Sequence, residues 1–469
     1  MTRSGRQWGL ASVNTNEDEL DDFLGRPGQD EYHPWDVRIP LWSEDSSPHS
    51  LAALASQAVG GMESRSWKEA SISGEAKQGL AAANDEMRSL IEAKVFHLVP
   101  RSITRGRVVT SMWVFKVKRQ SDGAIERFKA RLVARGFSQQ RGIDFDETFA
   151  PIAKLQSIRL ILALAAMNDL ELHQMDVKTA FLYGSLDEKV FMEQPEGFEE
   201  FQDMVWQLDK SLYGLKQAPR AWHLELDTSL KALGFRRTIS DHSIYTRDDT
   251  RGFIIVGVYV DDLTIASAQL DTLVHLKSEM SKRYDVKDLG ELHFILGLQV
   301  KRDRSARMLH LNQKQYVNTV LARFNMLDCK PAKSPLHSKV IMSPRKEGEE
   351  QTDRARYLTA VGSLMYAMLG TRPDLAYPVG LLGRFASDPS KTHWEGVLSV
   401  LKYLKHTSDL GITYSGGSDQ LDGFSGFATS DPDRRRVTSG YVLRLRNNPP
   451  SRSQQGMQNM LPSLKLLES

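Results

Sequence analysis

The sequence predicts an α+β protein in which β-hairpins alternate irregularly with amphipathic helices. The strongest hairpin signal is FIIVGVYVDDLTIA, residues 253–266, where strand formers lie on both sides of two adjacent aspartates. The strongest helical signal lies in residues 211–233, which open with a Gly-Leu-Lys-Gln-Ala-Pro turn. Apolar residues then recur at helical spacing until the pattern stops at Gly234. Both kinds of element recur along the chain, which indicates the α+β class.

Length and composition indicate an ordinary globular protein. The chain has 469 residues, enough for several domains, with 41% hydrophobic, 26% charged and 8% aromatic residues. Its apolar runs are far shorter than a membrane span, and its first residues have no secretory pattern, so we expect an intracellular protein without membrane contact. The lone Cys329 excludes an internal disulfide and a zinc finger.

Charge is unevenly distributed, although the net charge is only +2. Residues 101–141 hold eleven Lys and Arg against two acids, whereas residues 11–50 hold ten acids against two Arg. A local basic region of this density suggests a bound polyanion, while a solvated basic hairpin is the more common case for any single charge run. The acidic stretch 1–66 lacks periodicity and is predicted to be a flexible leader or linker.

The basic region itself is predicted to be a hairpin. Residues 108–117 and 125–134 are rich in strand formers, and Ser-Asp-Gly at 121–123 is a typical turn. Because side chains alternate along a strand, Lys116 and Lys118 share one face of the first strand, and Lys129 and Arg131 share one face of the second. Such a finger could grip a triphosphate or a nucleic-acid strand.

The adjacent acids Asp261 and Asp262 are the main candidate functional residues. Two neighbouring anions repel each other, but a divalent cation held between them and a third carboxylate would offset that cost. Asp176 is the candidate third acid, because residues 170–177 alternate as a strand that ends near it. A solvated Asp-Asp turn is the alternative interpretation of the pair.

The remaining elements follow from periodicity and turn residues. Helices are predicted at 78–96, 157–167, 270–284 and 313–324, with three more between residues 355 and 406. A hairpin is predicted from residues 293–301 and 308–311, and short strands at 411–414 and 441–445. Residues 336–351 are polar and are predicted to be a linker or loop.

Taken in order, several motifs resemble the reverse transcriptase of Ty1/copia-type LTR retrotransposons, over about residues 67–445. They are WVFKVK (113–118), ERFKARLVARGFSQQRGIDFDETFAP (126–151), LHQMDVKTAFLYG (172–184), MEQPEGF (192–198), SLYGLKQAPRAW (211–222), YVDD (259–262), DLGELHFILGLQV (288–300) and VGSLMYAMLGTRPDLAYPVG (361–380). YVDD alone is a weak signal, whereas the ordered set is specific.

The resemblance implies a right-hand polymerase fold of fingers, palm and thumb with an antiparallel palm sheet, followed by a helical connection. The implied divisions are a leader (1–66), fingers and palm (67–304), thumb and linker (305–350), connection (351–415) and a truncated RNase H-like remnant (416–469). In the remnant the family pattern GYSDADWAG is replaced by Gly-Phe-Ser-Gly-Phe-Ala at 423–428. The metal-binding acids are missing, so we expect no RNase H activity.

The resemblance also implies site residues. The catalytic acids would be Asp176, Asp261 and Asp262, which would hold two Mg²⁺ or Mn²⁺ ions. The enzyme would extend a primer with dNTPs on an RNA or DNA template. Phe181 would exclude a ribose 2′-hydroxyl, although plain core packing is the alternative. The other implied contacts are Gln217, Lys129 and Arg131 for the dNTP, Lys116, Lys118 and Arg220 for template and primer, and Leu296 and Gly297 for the primer grip. Arg220 and Trp222 would either pack or position the template.

Two other functions remain open at this point. An inactive element relic that only binds nucleic acid is the main alternative, because the first and last segments depart from the family pattern. An RNA-templated RNA polymerase is disfavoured by Phe181, since a small residue there would be needed to admit the 2′-hydroxyl. Location in the cytoplasm or the nucleus is expected.

Overall fold

A computed structural model describes residues 67–72, 76–104, 107–119, 125–336, 342–416, 421–429 and 437–445. For residues 71–72, 118–119, 421–429 and 437–445 only the backbone is described. The predicted leader 1–66 and the predicted turn at 121–123 lie outside these ranges. No helix in the described part of the chain has the length and apolarity that a membrane span requires.

The helices, in chain order, are α1 Trp67–Ile72, α2 Ala76–Glu92, α3 Leu155–Met167, α4 Ala218–Ala232, α5 Leu270–Ser281, α6 Lys314–Arg323, α7 Arg354–Gly370, α8 Ala376–Gly383 and α9 Lys391–His406. The strands are β1 Phe96–Pro100, β2 Ser111–Arg119, β3 Ile125–Ala134, β4 Glu171–Val177, β5 Ser185–Met192, β6 Met204–Lys210, β7 Arg236–Arg237, β8 Ile244–Asp249, β9 Gly252–Tyr259, β10 Asp262–Ser267, β11 Val286–Glu291, β12 Phe294–Ile295, β13 Leu298–Asp303, β14 Met308–Asn312, β15 Gly411–Ser415, β16 Leu421–Thr429 and β17 Val437–Leu445. The mixed helices and antiparallel sheets confirm the α+β class.

A six-stranded antiparallel sheet in the order β11-β4-β10-β9-β8-β7 forms the centre of the fold. Both faces of this sheet are covered, which explains why β9 is almost wholly apolar and why every residue of β10 after Asp262 is buried. Helix α3 packs on one face with Ile158 and Ile161, and α4 and α5 pack on the other with Leu226 and Leu273. At Gly257 of β9, an added Cβ would lie 3.1 Å from Ile161, so α3 approaches the sheet closely there.

The basic hairpin is confirmed as β2 and β3, and its register supports the predicted faces. Lys116 lies opposite Lys129, whereas Phe115 lies opposite Ala130 on the other face, where both are buried. The buried face packs on α2 and on the sheet β1-β6-β5 in one apolar core. The basic side chains lie on the opposite face, away from this core. Lys118 lies opposite Arg127, and its side chain is outside the described part.

Strands β14 and β15 pack with α3, whereas the last four helices form a core of their own. Strands β14 and β15 pair although the helices α6 to α9 separate them along the chain, which completes the sheet β12-β13-β14-β15. Helices α6 to α9 contribute to a single apolar core that includes Val317, Leu364, Val379 and Val400. The division into 305–350 and 351–415 stays a prediction, as does the remnant at 416–469, of which the pair β16–β17 is described.

Two predicted elements were wrong in their bounds. The strand expected at 293–301 is interrupted, because Leu296 and Gly297 have positive φ of 50° and 71° and form a tight turn between β12 and β13. The helix expected to reach residue 96 ends at Glu92, and Lys94, with φ of 52°, turns the chain into β1. Pairing between the neighbouring strands β12 and β13 sets the turn, and pairing of β1 with the distant β6 sets the early end of the helix.

Candidate active site

The three candidate acids lie at one end of the central sheet. Strand β4 runs between β10 and β11, and the register places Asp176 directly opposite Asp262. Val260 and Asp261 form the two-residue turn between β9 and β10, and the carbonyl of Asp261 accepts a hydrogen bond of 2.9 Å from the Val177 amide. The structure therefore brings Asp176, Asp261 and Asp262 together from two distant parts of the sequence.

Burial and like charges raise the pKa of two of these carboxyls, Asp262 and Asp176. Burial raises the pKa of Asp262 to about 7, with further contributions from the charges of Asp261 and Asp176. The Gln174 amide opposes this shift by donating a hydrogen bond of 3.2 Å to Asp262 Oδ1. Burial also raises the pKa of Asp176, as does the charge of Asp261. Ionising the whole cluster is therefore unfavourable without a cation.

Basic side chains partly offset the negative charge at Asp176. Lys129, Lys287 and Arg131 each lower its pKa, although the net shift remains upward. Lys287 lies directly opposite Asp176 on β11, a position that the sequence interpretation missed. Nothing in the local sequence of Lys287 could have revealed this, since the contact depends on pairing between β4 and β11.

The donor set fits a hard divalent cation. Its groups are carboxylate oxygens, which Mg²⁺ and Mn²⁺ prefer, and the neighbouring basic side chains only partly offset the negative charge. Within the described ranges, no group of three or more His, Cys, Asp or Glu side chains is already arranged as a metal site. The sheet thus fixes the backbones of the three acids, and their side chains would have to converge to share ions.

Trp222 holds the turn that carries Asp261, a role that the sequence interpretation missed. Its indole Nε1 donates a 2.7 Å hydrogen bond to the carbonyl of Val260, which has φ of 59°. A β-branched residue is costly in this left-handed region, so the turn needs support from its surroundings. Trp222 is 2% exposed and packs edge-to-face on Tyr284 at 5.3 Å, which places it in the core. Packing is one of the two roles expected of Trp222, and a role in positioning the template stays a prediction.

If the acids catalyse the nucleotide incorporation that the motifs predict, Trp222→Phe should reduce its kcat by about tenfold, because the aromatic packing stays while the hydrogen bond to Val260 is lost. The KM for nucleotide should change little, since the change acts through the turn. Trp206→Phe is the matched control, as Trp206 is a buried tryptophan in the β1-β6-β5 sheet and stacks on Phe96. An equal fall in kcat for both variants would contradict this role.

Three of the four residues assigned to the nucleotide lie on the basic hairpin or on a short helix that packs on the same core. Phe181 belongs to a short 3₁₀ helix, Ala180–Tyr183, and is half-buried against two apolar cores. Lys129 and Arg131 lie on β3, and their charges reach both Asp176 and the buried Glu86 of α2. The fold thus brings Phe181, Lys129 and Arg131 near the acids.

Two other assigned residues are engaged with the loop at 136–147. Gln217 is buried, donates a 2.9 Å hydrogen bond to the Asp144 carbonyl and accepts one of 3.1 Å from Gln139. Arg220 forms an ion pair of 2.6 Å with Glu147. In this arrangement the two side chains brace the loop, and their direct contact with nucleotide or template stays a prediction.

Leu296 and Gly297, assigned to the primer grip, form the turn between β12 and β13. The Tyr366 hydroxyl of α7 donates a short hydrogen bond to the Leu296 carbonyl. Burial raises the pKa of Tyr259, next to the acidic turn, and the nearby Tyr366 adds to this rise. The turn is therefore tied to a helix about seventy residues away in sequence, which no local pattern indicates.

Comparison with known proteins identifies the family of this chain. Residues 93–338 match the model of the family described as reverse transcriptase (RNA-dependent DNA polymerase). A Pol polyprotein from transposon TNT 1-94 of Nicotiana tabacum is 43% identical over 391 residues, covering 81% of this chain and 29% of the relative. The transposon RE2 Pol polyprotein of Arabidopsis thaliana is 38% identical over 389 residues, covering 81% and 26%.

A shorter relative and a solved structure complete the comparison. The transposon Ty5-1 protein of Saccharomyces cerevisiae is 33% identical over 296 residues, covering 61% of this chain and 94% of the relative. A structure of a foamy viral protease-reverse transcriptase in complex with double-stranded DNA matches with a TM-score of 0.40 and 11% identity, covering 79% of this chain and 56% of that one. The chain belongs to the reverse transcriptase family.

Within that family, the relatives are Pol polyproteins of Ty1/copia-type transposons, as the motifs predicted. The chain spans under a third of the length of the tobacco and Arabidopsis polyproteins, which are 29% and 26% covered.

Proposed function

We propose that this chain is an RNA-directed DNA polymerase that adds dNTPs to a primer 3′-hydroxyl on an RNA or DNA template. The observation that carries the proposal is the antiparallel pairing that sets Asp176 opposite Asp262, with Asp261 in the adjoining turn. Three carboxylates at one sheet end are what two-metal nucleotidyl transfer requires of a protein.

Asp176, Asp261 and Asp262 would hold two Mg²⁺ or Mn²⁺ ions. When bound, such ions activate the primer hydroxyl and stabilise charge at the α-phosphate and on the leaving pyrophosphate. Arg131 and Lys129 would attract the triphosphate electrostatically. Phe181 would lie against the nucleotide sugar, where an aromatic ring leaves no space for a 2′-hydroxyl. The turn at Leu296–Gly297 would seat the primer terminus through its backbone.

Purified chain assayed with dTTP, Mg²⁺ and poly(rA)/oligo(dT) tests this function. We expect Mg²⁺-dependent incorporation by the wild type and a loss of at least about 100-fold in Asp261→Asn, since one cation ligand becomes neutral. Asp187→Asn, which alters an exposed carboxyl of β5, is the matched control and should retain activity. Incorporation no greater than that of Asp261→Asn would refute the polymerase assignment.

An inactive relic is the second candidate, favoured by the replacement of the acidic RNase H pattern with Gly-Phe-Ser-Gly-Phe-Ala at 423–428. Such a protein would bind template-primer through the basic face of β2–β3 with strong salt dependence but would incorporate no dTTP. Measuring binding and incorporation on the same preparation separates the two candidates.

A further inference from the structure

The side chain of Tyr213 joins two groups that the proposed function assigns to the nucleotide. Its ring centroid lies 4.8 Å from that of Phe181 at an interplanar angle of 63°, an edge-to-face contact. The guanidinium carbon of Arg131 lies 4.6 Å from the centroid of the same ring, a cation–π contact. One ring therefore touches both the residue assigned to the sugar and a residue assigned to the triphosphate.

The backbone around Tyr213 is firmly held. Its carbonyl accepts a 2.7 Å hydrogen bond from the Ala134 amide at the end of β3. Gly214 has φ of 92°, and an added Cβ would lie 2.0 Å from the Ala134 carbonyl oxygen, so only glycine fits this close approach. The backbone of Tyr213 is thus held against the end of β3, so its side chain can act as a rigid support.

The same segment is also fastened to the helix that carries Phe181. The Ser211 amide donates a 2.8 Å hydrogen bond to the Gly184 carbonyl, and the Ser211 hydroxyl donates a short one to the Phe181 carbonyl. Hydrogen bonds therefore link the basic hairpin, the segment 211–214 and the 3₁₀ helix to one another. A change in the Tyr213 ring would be transmitted to Phe181 directly.

The Tyr213 ring also faces the acidic cluster. Burial raises the pKa of its hydroxyl to about 12; Arg131 opposes this rise, and the charges of Asp261 and Asp176 add to it. At neutral pH the hydroxyl is therefore uncharged, and the side chain acts as a neutral aromatic surface beside the acids. Its contacts to Phe181 and Arg131 depend on the ring and not on the hydroxyl.

We propose that Tyr213 is a positioning residue for sugar selection: its ring holds Phe181 in the orientation that excludes a ribose 2′-hydroxyl. The proposal rests on the proposed polymerase function. A half-buried Phe can change rotamer when space opens beside it, and a gate that turns aside admits the larger sugar. The edge-to-face contact with Tyr213 removes that freedom.

The test is the ratio of kcat/KM for dTTP to kcat/KM for UTP on poly(rA)/oligo(dT). We expect Phe181→Ala to lower the ratio strongly. Tyr213→Leu should lower it about 3- to 10-fold, because the interaction energy of an aromatic pair corresponds to at most about a tenfold change in rate. Tyr213→Phe keeps the ring and should keep the wild-type ratio. Loss of the Arg131 contact in Tyr213→Leu should raise KM for both nucleotides by the same factor, so this effect cancels in the ratio.

Tyr316→Leu is the matched control, since Tyr316 forms an edge-to-face pair with Tyr366 at 4.8 Å and 64° in the helical core. It should leave the ratio unchanged even if stability falls. If Tyr213→Leu does not fold, Tyr213→Met, whose flexible side chain adapts to irregular gaps, takes its place. A wild-type ratio in Tyr213→Leu, or an altered ratio in Tyr213→Phe, would overturn the role of Tyr213 alone. Absence of dTTP incorporation by the wild type would instead refute the polymerase function and this role with it.

Discussion

We expect the Asp262→Asn variant to lose dTTP incorporation by about 1000-fold or more, yet to be more stable than the wild type at pH 8 without divalent ions. The loss follows from removing a carboxylate that would hold the ions. The gain follows from burial and from the like charges of Asp261 and Asp176, which disfavour ionised Asp262 in the folded state. Function and stability would then change in opposite directions at one residue.

The sign of the pH effect follows from the two pKa values. The folded pKa of Asp262 is about 7, above the ordinary value of 3.8, so the folded protein binds more protons between these limits. The contribution of Asp262 to the free energy of unfolding of the wild type therefore falls as pH rises from about 4 to 7. The variant lacks the ionisation, so its advantage should be absent near pH 4 and complete above pH 7, at about 1–3 kcal/mol after allowance for partial exposure.

Thermal unfolding of both proteins at pH 5 and pH 8, with and without Mg²⁺, measures this effect. Mg²⁺ should raise the melting temperature of the wild type more than that of Asp262→Asn, because a ligand stabilises the state that binds it. Asp187→Asn serves as the control for losing an exposed carboxyl. A stability difference that is the same at both pH values would show that the acidic cluster does not strain the fold.

The largest stability effect is expected from Asp374→Ala, in the helical part of the chain. The Arg372 side chain is 1% exposed and forms two hydrogen bonds to Asp374, of 2.9 and 2.7 Å. Thr407 accepts two more from the same guanidinium, and Tyr403 donates its hydroxyl to Asp374. Removing Asp374 would leave a buried cation without its counter-ion, which costs about 3–5 kcal/mol.

Hydrogen exchange of peptides from α7 and α9 is the appropriate measurement, because a chain of this length need not unfold in one step. We expect amides there to exchange at least about 100-fold faster in Asp374→Ala. Glu350→Ala is the matched control: its ion pair with Lys391 is exposed, at 72% and 67%, so its loss should change little. Comparable exchange in both variants would mean that the buried pair contributes no more than a surface pair.

Local patterns predicted much of the central sheet and of the acidic site. The run of strand formers around Asp261 and Asp262 forms β9 and β10, and the alternating segment before Asp176 forms β4. These predictions succeed because propensity, alternation and turn chemistry agree with the final packing. The interrupted strand at Leu296–Gly297 failed because the turn is selected by pairing between β12 and β13 and by Tyr366.

The sequence by itself determined the family, the α+β class and the three acids, because these depend on residue identity and on short-range order. Only the tertiary structure decided that Lys287 lies opposite Asp176, that Trp222 holds Val260, and that Tyr213 touches both Phe181 and Arg131. Each of these contacts joins residues that are remote in sequence. Their formation depends on strand register and helix packing, which are properties of the whole folded chain and leave no local trace in any one segment.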